Sequence, residues 1–107
     1  MFMSMRNSGF HIVFDNEYTI SCQFSPMHHC SNFNPLEDPF IAMKKGYYTS
    51  NDCELAILDY KSDFVTDRVL AKLNYTEPDG SEVKGYVTAD ELADIINYVS
   101  LLPKEDK

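Results

Sequence analysis

His28, His29 and Cys30 are consecutive, and with Cys22, Cys53 or His11 they offer the nitrogen and sulfur donors that zinc prefers. Their spacing argues against a metal. Structural zinc sites present pairs such as C-x2-C, and adjacent ligands seldom converge on one ion, so the cluster reads as a polar loop with one buried thiol. A thiol nucleophile needs a base, and His29 beside Cys30 is one by position. Neighbours along a chain tend to point apart, however, and the base of a catalytic cysteine usually comes from elsewhere in the fold. Asp59, Asp63 and Asp67 are carboxylates spaced for acid–base work, yet they flank a turn, where Asp is chosen for local hydrogen bonding. Gly9, Gly46, Gly80 and Gly85 are scattered and form no loop that cradles phosphate. No catalytic residue, metal-ligand set or cofactor motif emerges, and the chain reads as a binding protein, not an enzyme.

Binding chemistry is better represented. Seven Phe and seven Tyr exceed what one small sheet and one helix readily hide, and Phe33, Phe40, Tyr47 and Tyr48 cluster in one stretch. Such rings stack on a ligand base, anchor a protein interface or bury themselves in a homo-oligomer. Gln23, His28, Ser31 and Asn32 supply hydrogen-bonding groups around them.

The elements that must position these groups follow from periodicity. Phe10, Ile12 and Phe14 alternate with His11, Val13 and Asp15, which predicts a strand over Gly9 to Asp15. Asn16-Glu17 turns the chain. Tyr18, Ile20, Cys22 and Phe24 then alternate with Thr19, Ser21 and Gln23, giving a second strand and a hairpin. Residues 25–51 hold Pro26, Pro35 and Pro39 and no sustained period, so they read as one long ordered loop. Loops of that length are more often functional than plain connections. Within it, a short strand or helical turn around Phe40 to Lys44 stays open.

Cys53 to Tyr60 is a third strand, nearly continuous in apolar residues at Leu55-Ala56-Ile57-Leu58. Phe64 to Tyr75 fits either period. Strand is preferred there, because Glu77-Pro78-Asp79-Gly80 is a strong turn and Val83 to Val87 looks like a returning partner. Thr88-Ala89-Asp90-Glu91 is a capping box. Leu92, Ile95, Ile96, Val99 and Leu102 then form one helical stripe that Pro103 ends. The tail from Lys104 to Lys107 is expected to fray. The fold class that results is α+β: an antiparallel sheet of about four or five strands packed by one C-terminal helix.

Length and charge set the bounds. A chain of 107 residues closes one core, so residues 1–107 are read as a single domain. No apolar run approaches the roughly 18 residues of a membrane span, and the start lacks the layout of an export signal. Three cysteines, an odd number, suggest reduced thiols and a cytoplasmic location. The net charge of −8 repels phosphate backbones, so direct nucleic-acid binding is disfavoured. Most of that excess lies after residue 49, where 13 acids face 6 bases. Solubility accounts for it plainly, and an acidic patch that fills a partner's basic site is the sharper account.

Three stretches carry a resemblance. Asn16-Glu17-Tyr18-Thr19-Ile20-Ser21-Cys22-Gln23-Phe24 fits N-x-[YW]-T-[IV]-S-x-Q-F and is followed by Cys30-Ser31-Asn32, a Cys-x-Asn. Glu54-Leu55-Ala56-Ile57 fits E-[VL]-A-I, and Gly85-Tyr86-Val87-Thr88-Ala89-Asp90-Glu91 fits GY-[VL]-T-x-[DE]-E. Together they resemble a widespread group of small uncharacterised bacteriophage proteins, over about two thirds of the chain. His28-His29 stand where smaller residues are usual in that group, and the stretch from Phe33 to Asn51 does not align with it. The resemblance implies a phage accessory protein acting in the host cytoplasm, and compact acidic proteins of that kind are commonly inhibitors of host defence. Two mechanisms follow. In one, the acidic and aromatic surface, with Asp59, Asp63 and Asp67, occludes a host defence protein; in the other, an oligomer sequesters a nucleotide signal using ring stacking and the donors Gln23, Ser31 and Asn32. An enzyme built on zinc or Cys30 is a third and weaker reading.

Overall fold

The computed structural model describes residues 1–5, 8–44, 48–75 and 82–105. Five strands form one sheet: β1 (Phe2–Ser4), β2 (Gly9–Val13), β3 (Thr19–Gln23), β4 (Asp52–Leu58) and β5 (Lys84–Thr88). They lie in chain order, every neighbour antiparallel, with consecutive strands adjacent even where the connection is long, as between β3 and β4 and between β4 and β5. Three helices complete the described chain: α1 (Pro39–Lys44), α2 (Thr66–Lys72) and α3 (Ala89–Ser100). The architecture is α+β, with the C-terminal helix packed on the sheet.

The expected hairpin forms, with Phe10 opposite Cys22 and Ile12 opposite Ile20. Glu17 turns it with φ 71°, a left-handed backbone that a tight turn requires of one residue. Period two decides the faces. Ile20 and Cys22 of β3 and Cys53, Leu55 and Ile57 of β4 point to the core, where Ile95 and Val99 of α3 meet them. Ser21, Gln23, Glu54 and Ala56 take the other face, opposite the one on which α2 and α3 pack. The capping box at α3 forms as read: Thr88 Oγ1 accepts from the Glu91 amide and the Glu91 carboxylate accepts from the Thr88 amide.

Two sequence expectations are corrected. Phe64 to Tyr75 is not a strand; Phe64 makes a single bridge to Leu58, and the chain then enters α2. Val65, Val69 and Leu70 share a helical stripe and all three are buried in the core, so period 3.6 wins over period two. Accordingly Lys84–Thr88 pairs with β4, and Val83 to Val87 is not the partner of residues 64–75. The turn Glu77-Pro78-Asp79-Gly80 lies outside the described residues. Thr66 explains why β4 can lose its strand partner halfway: its Oγ1 accepts from the Ile57 amide and donates to the Glu82 carbonyl. One buried hydroxyl thus replaces a ladder rung.

Two features escaped the sequence reading. β1 is an edge strand of three residues, too short to show a period. The tail, expected to fray, is held at its start, where Glu105 accepts from the Tyr18 hydroxyl and pairs with Arg68 at 3.3 Å.

Candidate functional site: a pinned loop with an exposed apolar crest

The stretch after β3 is built from its first residue. Ser25 is buried; its Oγ accepts from the Met27 amide and hydrogen-bonds His28 Nδ1 at 2.6 Å. The Cys30 thiol, also buried, donates to the Ser25 carbonyl. Burial raises the Cys30 pKa, which keeps it a neutral thiol at neutral pH. Burial likewise lowers the pKa of His28, which favours the neutral imidazole. The Cys30 thiol and the His28 imidazole thus both hydrogen-bond to Ser25.

Four clasps then tie this loop to the sheet. Asp52, at the start of β4, accepts from the Ser31 amide at 2.5 Å and the Ser31 hydroxyl at 2.6 Å. Those bonds hold its carboxyl below the usual carboxylate range. Glu54, one rung further, accepts from the His29 amide at 2.7 Å. Asn32 Nδ2 donates to the carbonyls of Phe24 and Thr49, joining the two ends of the loop. The fourth clasp comes from β5, whose pairing with β4 slips between Cys53 and Leu55. That bulge, with Tyr86 at φ 58°, frees the Tyr86 amide to donate to the His29 carbonyl. Gly85 makes the approach possible: a Cβ there would sit 2.9 Å from His29 Cβ.

Above this base stands an apolar crest. Phe33 packs edge-on against His29, with ring centroids 5.3 Å apart, and remains 43% exposed. Leu36, Phe40 and Ile41 are exposed at 91%, 74% and 62%. Asn34 and Asp38 hold the crest through their own turns, their side chains accepting from the amides of Leu36 and Phe40. Asp38-Pro39 starts α1 as an N-cap followed by proline at the first helical position. Exposing three large apolar side chains within six residues is costly for an isolated molecule and ordinary for an interface.

The structure brings His28, His29, Cys30, Ser31, Asn32 and Phe33 together in this loop. Gln23 lies beside it, its Nε2 donating to Ser21 Oγ, and lines with His28 a cleft of about 290 Å³ on the sheet face away from α2 and α3. Tyr48 is half-buried and lines a separate apolar cavity, while Tyr47 lies outside the described residues. Asp59, Asp63 and Asp67 are not part of the loop. They follow the far end of β4, a strand of seven residues or about 20 Å away. Asp59 closes its own turn, accepting from the amides of Lys61 and Asp63. Asp63 and Asp67 line another cleft, of about 490 Å³, with Arg68 and Glu82.

Sequence reasoning missed Leu36 and Ile41 of the crest and the anchors Asp52 and Glu54. The Asp-Pro helix start ahead of Phe40-Ile41 was the available signal for the crest. Nothing local marks Asp52 or Glu54, whose role depends on strand register. Among the described residues, no group of three or more His, Cys, Asp or Glu is placed to hold a metal, and no helix is long and apolar enough to cross a membrane. Neither family models nor curated proteins nor solved structures yield a match to this chain.

Proposed function

We propose that this is a phage-encoded accessory protein that inhibits a host antiviral defence protein stoichiometrically, by inserting the crest at Phe33, Leu36, Phe40 and Ile41 into the partner's surface. The carrying observation is the pairing of a crest exposed to solvent with a base clasped at Ser31, Asn32 and His29. A rigid base lowers the ordering cost of binding, and apolar tips supply the affinity. Glu37 and Asp38 flank the tips, so the complementary surface is an apolar hollow with a cationic rim.

The same hydrogen bonds weigh against a nucleotide sponge. Ser31 and Asn32, its expected donors, are engaged with Asp52 and with backbone carbonyls. Asp52 and Glu54 place negative charge beside the loop, where a phosphate wants cations.

The test is to express the protein in hosts that each carry one antiviral system and to score phage plating. Relief of restriction by the wild-type chain, and its loss in a folded Leu36→Asp/Phe40→Asp variant, is the expected result. Relief that survives in that variant contradicts the proposal.

A further inference from the structure

We infer that Cys22 and Cys53 form a dithiol site, at the floor of an apolar cavity, for a trivalent arsenical carrying an apolar substituent. Both cysteines line one cavity of about 350 Å³ between the sheet and the start of α3, walled by Phe10, Phe24, Tyr48, Val87 and Leu92. They are 3% and 4% exposed and free.

Register sets their relation. Cys22 pairs with Leu55, and Cys53 precedes Leu55 by two residues, so the thiols share one sheet face as diagonal neighbours. Diagonal positions lie about 7–8 Å apart, wide of the roughly 4.4–6.8 Å that a disulfide accepts between Cα atoms. The geometry therefore suits one soft atom held between two sulfurs better than a sulfur–sulfur bond. The two thiols influence each other's titration: Cys53 draws the Cys22 thiol down, and Cys22, with burial, pushes Cys53 up.

The cavity's character selects among soft centres. Monovalent copper held by two thiolates would leave a net negative charge in a mostly apolar cleft that Asp52 already edges, which is unfavourable. A phenyl-arsenic(III) centre forms a neutral adduct. In that reaction phenylarsine oxide takes two thiols, two S–H bonds and the As–O bonds break, two As–S bonds form, and both protons leave with the oxygen as one water. Arsenic stays trivalent, so no oxidant or reductant is needed. The ring is left among Phe10, Phe24 and Tyr48, where it loses part of its contact with water.

The experiment titrates the intact chain with phenylarsine oxide and reads adducts by intact mass, with affinity from competition by a small dithiol. One adduct per chain is expected. Cys22→Ala and Cys53→Ala should each weaken binding about a hundredfold or more, because the second As–S bond is then lost. Cys30→Ala should change it less than about twofold. Cys22→Val and Cys53→Val leave no cavity in the core and serve where an alanine variant does not fold. Inorganic arsenite, with no ring to bury, should bind about tenfold or more weaker. No adduct on the wild-type chain, binding that persists in both Cys22 and Cys53 variants, a requirement for Cys30, or arsenite binding as tightly as the phenyl compound would each overturn the inference.

Discussion

Asp52 carries two hydrogen bonds from Ser31, and its depressed pKa gives that clasp a pH dependence. For a carboxyl whose folded pKa lies below its unfolded value, the stabilisation is complete above the unfolded pKa and disappears as pH falls through the folded one. The Ser31 amide should therefore be protected from hydrogen exchange at neutral pH and lose that protection in acid, ahead of global unfolding. Asp52→Ala should lose it at neutral pH. Tyr18 behaves oppositely. Burial, with a hydrogen bond to Glu105, pushes its pKa up to about 12. The neutral phenol is the form the fold favours, so its contribution is full below the ordinary tyrosine range and is lost as pH rises towards about 12. Alkaline melts of the wild-type chain should fall across that window, and Tyr18→Phe should fall less steeply there.

At the scale of elements, Asn16 joins the hairpin to the helix. Its Nδ2 donates to the carbonyls of Val99 and Leu102 at the C-terminal end of α3, and its Oδ1 accepts from the Tyr18 amide. Asn16→Ala leaves helix-end carbonyls without this donor and should cost about 1–3 kcal/mol in denaturant unfolding. Gly85→Val pushes β5 against His29 and should loosen the loop while leaving α3 intact, a separation that amide exchange resolves.

These contacts also show what the sequence could disclose. The hairpin, β4 and α3 were legible because their periods are long and their caps local. Phe64 to Tyr75 was not, since its short apolar run fits both periods and only the pairing of β5 with β4 decides between them. His28 to Asn32 were singled out as a group, yet their work as clasps depends mostly on partners far along the chain, such as Thr49, Glu54 and Tyr86, which spacing does not reveal. Leu36 and Ile41 look like ordinary core residues until the fold leaves them outside.

Across the whole molecule, the buried core and the proposed binding loop are separate regions. The core of Ile20, Leu55, Ile57, Ile95 and Val99 holds sheet and helix together, and the clasped loop presents apolar groups that this core does not use. Because the crest makes little contribution to the core, Leu36→Asp and Phe40→Asp should each leave the melting temperature nearly unchanged. Each should weaken partner binding by about tenfold or more, as expected for loss of an interface anchor.

The most direct measurement places a photo-crosslinking side chain at position 36, and separately at position 63, and illuminates each chain in cells of hosts in which the proposed relief of defence is scored. A partner acting through the crest is captured at position 36 and not at position 63, and one equivalent of unlabelled wild-type chain competes it away. Capture at position 63 alone, or relief of defence with no capture at position 36, contradicts the account.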